Sequence, residues 1–161
     1  HLFQKQRIMK TAVFPGSFDP FTLGHESIVR KALPLFDRII VAIGANSMKS
    51  GTFDLEKRTQ WIKETFADWP SVDVVQFQGL TVDFCQKNKA QFILRGLRNP
   101  NDYQYESSIA QMNQAMNSEV TSVFLICDPE YAAISSTIVR EVFKNGGNVS
   151  QFLPKAIQLD A

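Results

Sequence analysis

A chain of 161 residues, 44% hydrophobic and 20% charged, is long enough for one domain with a full core, short for two, and too apolar to be disordered. Two of its 17 basic residues, Lys5 and Arg7, precede Met9, so from Met9 onward 15 basic side chains face 16 acidic ones and the formal charge changes from +1 to −1. That balance excludes a general nucleic-acid surface and leaves anion binding to a few placed cations. No apolar run approaches the roughly 18 residues of a membrane span. The opening "HLFQKQRI" lacks the apolar stretch of a signal peptide. Residues 1–8 read as a tag or linker remnant and residues 9–161 as one domain, with the cytoplasm as the expected compartment. Cys85 and Cys127 sit in core-like segments without a CxxC or a His/Cys cluster, and read as buried free thiols.

The elements alternate. "KTAVF" (Lys10–Phe14) predicts a first strand, and Ile28, Val29, Ala32 and Leu33 a helix after it. "RIIVAIG" (Arg38–Gly44) predicts the second strand. "DLEKRTQWIKETF" (Asp54–Phe66) follows as a helix with Asp54 at its N-cap. "VDVVQF" (Val72–Phe77) leads to the helical "TVDFCQKN" (Thr81–Asn88). "QFILRG" (Gln91–Gly96) leads to a helix on which Tyr105, Ile109, Met112 and Met116 make one face. "TSVFLIC" (Thr121–Cys127) leads to "SSTIVREVFKNGG" (Ser135–Gly147), where Gly146 and Gly147 supply a stop. The tail "NVSQFLPKAIQLDA" reads as a short packed extension.

Near-continuous apolar strands alternating with helices predict a Rossmann-like, doubly wound five-stranded parallel sheet with helices on both faces. In such sheets ligands bind beyond the carboxyl ends of the strands. The functional loops should therefore be Pro15–Gly24, Gly44–Phe53, Gln78–Leu80, Arg95–Asn101 and Asp128–Ser136.

Four of those five loops hold residues that look chemically unusual. In "FPGSFDPFTLGHESIVRKAL" (Phe14–Leu33), Thr22 can cap the helix, which places His25 in its first turn. Unpaired N–H groups and partial positive charge make a helix start suited to phosphate. Ser17 adds a hydroxyl and His25 a directed donor; the alternative is a capped helix whose histidine bonds a nearby carbonyl. GxGxxG and GxxxxGK[ST] are both absent. In "ILRGLRNPNDYQYE", Arg95 and Arg98 flank Gly96 at a strand end, as an anion clamp or as two exposed surface arginines. Glu106 follows as a pocket carboxylate or a solvated one. Lys49, in "GANSMKSGTF", can reach a phosphate or remain solvated. Ser135, Ser136 and Thr137 can cap the last helix or serve a nucleotide phosphate. No nucleophile–base pair of the Ser–His or Cys–His kind appears, and His25 is the one histidine after Met9.

Together these segments resemble the nucleotidyltransferase superfamily with a [TH]-x-G-H signature, here Thr22-Leu23-Gly24-His25, with "ISSTIVRE" similar to its second signature. "RGLRNPNDYQYE" resembles the arginine motif of the phosphopantetheine adenylyltransferase family. The likeness runs from about Met9 to Pro154. It implies transfer of AMP from ATP to 4′-phosphopantetheine, giving dephospho-CoA and pyrophosphate, with Mg²⁺, in a cytoplasmic homohexamer often inhibited by coenzyme A. It further implies that Ser17 binds both substrates and that Phe18 contacts ATP. His25 would bind ATP and stabilise the transition state, with Ser17, Lys49 and Arg98 beside it. Lys49, Thr81 and Arg95 would bind phosphopantetheine. Gly96, Leu97, Arg98, Glu106, Tyr131, Ala132, Ala133, Ile134, Ser135, Ser136 and Thr137 would bind ATP. No residue is assigned to the metal: few carboxylates sit in the candidate loops, which leaves Mg²⁺ mainly to phosphate oxygens and water. Ser17 and Thr137 stand where many members have threonine and serine, and keep the hydroxyl; Leu23 and Thr81 occupy variable positions. Rival readings are a sister enzyme acting on nicotinamide mononucleotide or glycerol phosphate, a non-catalytic nucleotide or coenzyme A sensor, and a fragment of an aminoacyl-tRNA synthetase.

Overall fold

A computed structural model describes residues 7–45 and 51–159. Strands β1 (Thr11–Gly16), β2 (Arg38–Gly44), β3 (Val72–Phe77), β4 (Phe92–Leu97) and β5 (Thr121–Ile126) alternate with helices α1 (Leu23–Ala32), α2 (Leu55–Thr65), α3 (Thr81–Lys87), α4 (Pro100–Met116) and α5 (Ser136–Lys144). Every neighbouring pair is parallel, in the order β3-β2-β1-β4-β5. The expected doubly wound sheet is present.

Strand alternation divides the core into two layers. Ala12, Phe14, Ile39, Val41, Ile43 and Leu94 meet Ile28 and Val29 of α1, Ile62 of α2 and Val139 of α5 on one face. Val13, Ile40, Ala42 and Ile93 meet Val82 and Cys85 of α3 on the other. Leu153 and Ile157 of the tail are buried against the first layer, as a packed extension should be. The α5 stop also lies as expected: Gly146 has a φ of +83°, and Gly147 N–H donates to the Val142 carbonyl at 2.9 Å. Asp54 does occupy the N-cap of α2, but its side chain makes no capping bond.

The chain winds from β1 to one edge and then returns to place β4 on the other side of β1. The carboxyl ends of β1 and β4 thus form the point where connections diverge and a crevice opens. The crevice is narrow on the α1 side: a Cβ on Gly96 would lie 2.9 Å from Ile28 Cγ1, so strand and helix approach as only glycine permits.

One expectation fails in part. Strands with such apolar sequences should be buried on both faces, yet β5 is an edge strand, half-buried along its middle and with Ile126 75% exposed at its end. Helix α4 shares its exposure. The face made by Tyr105, Ile109, Met112 and Met116 is exposed, and the buried residue of this helix is Glu106.

Candidate active site

The start of α1 is folded around its histidine. Thr22 is the N-cap in extended conformation, and His25 occupies the third helical position. His25 N–H donates to Thr22 Oγ1 at 3.4 Å, and Thr22 N–H donates to His25 Nδ1 at 3.0 Å. This is a capping box in which imidazole replaces the usual Glu or Gln. Because Nδ1 accepts, the proton of the neutral ring resides on Nε2, the donor left for a ligand. Phe14, Phe18 and Phe21 surround the ring, with centroids 6.2, 5.0 and 5.3 Å away. That apolar burial, with the Arg95 and then the Arg98 charge adding to it, lowers the imidazole pKa from 6.5 to about 3. His25 is therefore an uncharged donor throughout the neutral range.

A cavity of about 610 Å³ opens over this helix start. Ser17, Phe18, His25, Arg95, Gly96, Arg98, Glu106, Ile134, Ser135, Ser136 and Thr137 line it, so loops that sequence order put at one sheet edge do converge. Leu97, Tyr131, Ala132 and Ala133 stand outside its lining; Tyr131 belongs instead to a shallow groove with Leu23 and Glu26. Thr81 lines a second cavity of about 260 Å³ beside the first, between β4, β5 and α4. Pro15, Gly16, Arg95 and Glu106 form the boundary common to both. Lys49 lies outside the described residues.

The two arginines are held differently. Arg95 Nε and Nη2 donate to the two Glu106 carboxylate oxygens at 2.9 and 2.6 Å, and Nη1 donates to the Pro15 carbonyl at 2.6 Å. Glu106 is 8% exposed, so its charge is matched by a two-pronged pair rather than by water. Arg98 is looser: Nε donates to Asp102 Oδ2 at 3.3 Å, and Nη1 reaches the Ile134 carbonyl at 3.5 Å. The hydroxyls at α5 are all engaged. Ser135 Oγ caps the helix through the Ile138 N–H at 3.2 Å, Ser136 Oγ donates to the Pro20 carbonyl at 2.8 Å, and Thr137 Oγ1 accepts from Arg140 Nη2 at 3.2 Å. Ser136 spends its O–H on that carbonyl, whereas Ser135 and Thr137 only accept in these bonds, so this helix start offers a ligand their O–H protons beside its backbone N–H groups.

The cavity also includes Ile28, Asp102, Tyr105 and Cys127, which the sequence did not single out as site residues. Asp102 had a signal, as the carboxylate four residues before Glu106 on the same helix. Cys127 had none; it is a free, buried thiol whose pKa burial and the Asp128 charge raise.

This geometry can be set beside known proteins. The family model for cytidylyltransferase-like proteins matches residues 13–142. Phosphopantetheine adenylyltransferase of Flavobacterium psychrophilum is 50% identical over 151 residues, covering 94% of this chain and 99% of that protein. The Christiangramia forsetii protein of the same name is 52% identical over 150 residues, covering 93% and 99%. This chain belongs to the phosphopantetheine adenylyltransferase family. A more distant fold neighbour is a crystal structure of a bifunctional NMN adenylyltransferase/ADP ribose pyrophosphatase from Francisella tularensis. It has a TM-score of 0.72 at 20% identity and covers 93% of this chain, which spans 46% of that longer one. Its likeness bears on the sheet and helices alone. Relatives in the phosphopantetheine adenylyltransferase family match nearly end to end, through both cavities and the helix starts beside them.

Proposed function

We propose that the chain transfers AMP from ATP to 4′-phosphopantetheine. A phosphate oxygen of the acceptor bonds to the α-phosphorus of ATP, the bond from that phosphorus to the bridging oxygen breaks, and pyrophosphate leaves with dephospho-CoA as the other product. The observation that carries this reading is the fixed Nε2–H donor of His25 at a helix start, facing a cavity that two arginines line. The nucleophile is a phosphate already ionised near neutral pH, so no general base is needed. The remaining requirements are positioning and a response to charge building on the α-phosphate and the leaving group. His25 and Ser17 bracket the α-phosphate, Arg98 holds ATP phosphate, and the α5 N–H groups take a further phosphate. Phe18, Gly96, Leu97, Glu106 and the segment from Tyr131 to Thr137 complete the ATP side. Arg95 and Lys49 hold the incoming phosphate, and the pantetheine arm lies toward Thr81 in the smaller cavity.

Mg²⁺ enters as part of the MgATP substrate. Both carboxylates lining the large cavity, Asp102 and Glu106, are paired to arginines, and among the described residues no cluster of three or more His, Cys, Asp or Glu stands ready for a metal. Coenzyme A shares the product's pantetheine arm and adenine nucleotide, and would compete for both cavities. The exposed apolar face of α4 supports a homo-oligomer, which we take to be a hexamer by resemblance. Among the described residues no helix is long and apolar enough to cross a membrane, and a cytoplasmic enzyme is proposed. Purified protein given ATP, Mg²⁺ and 4′-phosphopantetheine should yield dephospho-CoA and pyrophosphate in equal amounts. No product at high enzyme concentration, or faster turnover with nicotinamide mononucleotide or glycerol phosphate, would overturn the reading.

A further inference from the structure

Two buried charged side chains take no part in the chemistry above. Arg58, in the first turns of α2, and Asp19, in the loop after β1, are each 7% exposed. Their bonds close a ring between two segments. Arg58 Nη1 donates to the Ser17 carbonyl at 2.6 Å and Nε to the Phe53 carbonyl at 2.9 Å. The Asp19 carboxylate accepts the Thr52 N–H at 2.8 Å and the Phe53 N–H at 2.9 Å. Asp19 Oδ1 and Arg58 Nε stand 3.8 Å apart, and Arg140 Nη1 anchors the Asp19 carbonyl at 2.8 Å.

Phe18 lies between the two points that this ring grips. Its φ of 47° is a left-handed conformation that a residue with a bulky side chain seldom adopts, and one that persists only where the surroundings impose it. The carbonyl of Ser17 on one side and the carboxylate of Asp19 on the other are the imposed points. Phe18 in turn sets its ring 5.0 Å from the His25 imidazole, edge-on at 83°. A path of direct contacts thus runs from α2 to the serine and the histidine of the large cavity.

We infer that Arg58 and Asp19 form a positioning clamp that sets Ser17 and the His25 imidazole for the reaction while touching neither substrate. Its kinetic consequence rests on the adenylyl-transfer reading; its effect on the imidazole does not. An arginine is required because its planar fork donates to two carbonyls in fixed directions while its charge stands 3.8 Å from the Asp19 carboxylate, which a lysine ammonium cannot reproduce.

Two variants and two readouts test it. Arg58→Lys keeps the charge and loses the fork. Gly51→Ala keeps both charges but adds a Cβ 3.0 Å from Arg58 Nη2 and 3.0 Å from Asp19 Oδ2, prising the clamp from outside. In both, kcat should fall ~10–100-fold with either KM changed by less than about threefold, as misplacement of groups that act in the transition state requires. The second readout needs no turnover: a ¹⁵N spectrum of the imidazoles, where His1 and His25 are the only two histidines. His25 in the unsubstituted protein should show one neutral form with Nδ1 accepting and Nε2 protonated, and the variants should show tautomer averaging. Variants that melt earlier yet keep kcat within about twofold, or that leave the His25 signals unchanged, reduce the pair to a folding element and overturn the inference. If the unsubstituted protein makes no dephospho-CoA, the adenylyl-transfer reading fails, and the imidazole spectra alone still decide the clamp.

Discussion

Two helix starts face the same cavity and are built in opposite ways. At α1 the capping residue and the histidine satisfy each other, and the bond that completes the cap leaves a ring N–H for a ligand. At α5 three consecutive hydroxyls are held in place by structure: one accepts a capping bond, one ties the helix to the Pro20 carbonyl, and one accepts from Arg140. The first presents a side-chain donor whose direction is fixed; the second presents backbone dipoles and two hydroxyl protons that can rotate. Two helix starts that read alike in sequence as suited to phosphate therefore differ in what they contribute, a directed hydrogen bond at one and a diffuse positive end at the other.

That contrast sets an order of expected effects. His25→Ala should lower kcat by ~10²–10⁴-fold while the protein folds, since the donor acts where charge develops. Near-normal turnover would remove the histidine from the chemistry. The next largest effect is on stability against pH. The folded imidazole has a pKa of about 3, well below the ordinary 6.5, so from about pH 6.5 downward the unfolded chain takes up a proton that the folded chain refuses. The stability contributed by the neutral, half-buried ring is present above that range and is lost as pH falls toward 3, at up to about 1.4 kcal/mol per pH unit. His25→Gln keeps an acceptor for the cap but cannot titrate. Denaturation midpoints of the two proteins should diverge as pH falls from 7 to 4, and parallel curves would contradict a histidine held neutral by the fold.

Smaller effects belong to α5. Ser136→Ala removes a tie to the loop after β1 and should cost about 1–2 kcal/mol in thermal or denaturant unfolding, with a modest loss of turnover. Ser135→Ala removes a cap and should cost about 1 kcal/mol. Thr137→Val, at an exposed bond, should stay within about 0.5 kcal/mol. If Ser135→Ala abolished turnover at unchanged stability, its hydroxyl would be acting on substrate and the contrast between the two helix starts would fail.

How far the sequence could foretell all this follows from the range of each interaction. The Thr22 cap and the first-turn place of His25 are local and could be read, whereas the sequence did not foretell the return bond from Thr22 N–H to His25 Nδ1. The parallel sheet and its ligand-binding edge follow from element order, which is also local information. The clamp joins Arg58 to Ser17 and Asp19 to Thr52 and Phe53 across strands that only folding brings together, and no spacing rule anticipates it. Glu106 was ambiguous for a related reason: helical periodicity marks a position on a face without saying that Arg95 waits there. The α4 stripe makes the same point from the other side. Its spacing identified an apolar face correctly and carried no information on whether that face meets the sheet, solvent or another copy.

Gly96 gives the crevice its width. The distance between α1 and β4, and hence between the imidazole-bearing helix start and the strand that carries Arg95, is set where Ile28 carbon meets bare backbone. Contact between carbon atoms is a steric limit, indifferent to salt and to protonation. The gauge of the cleft is thus a ruler with no charge on it, while the groups it separates are polar or ionic. Ionic strength can weaken what the cleft holds without changing its dimensions, and a single methyl at position 96 would do the reverse.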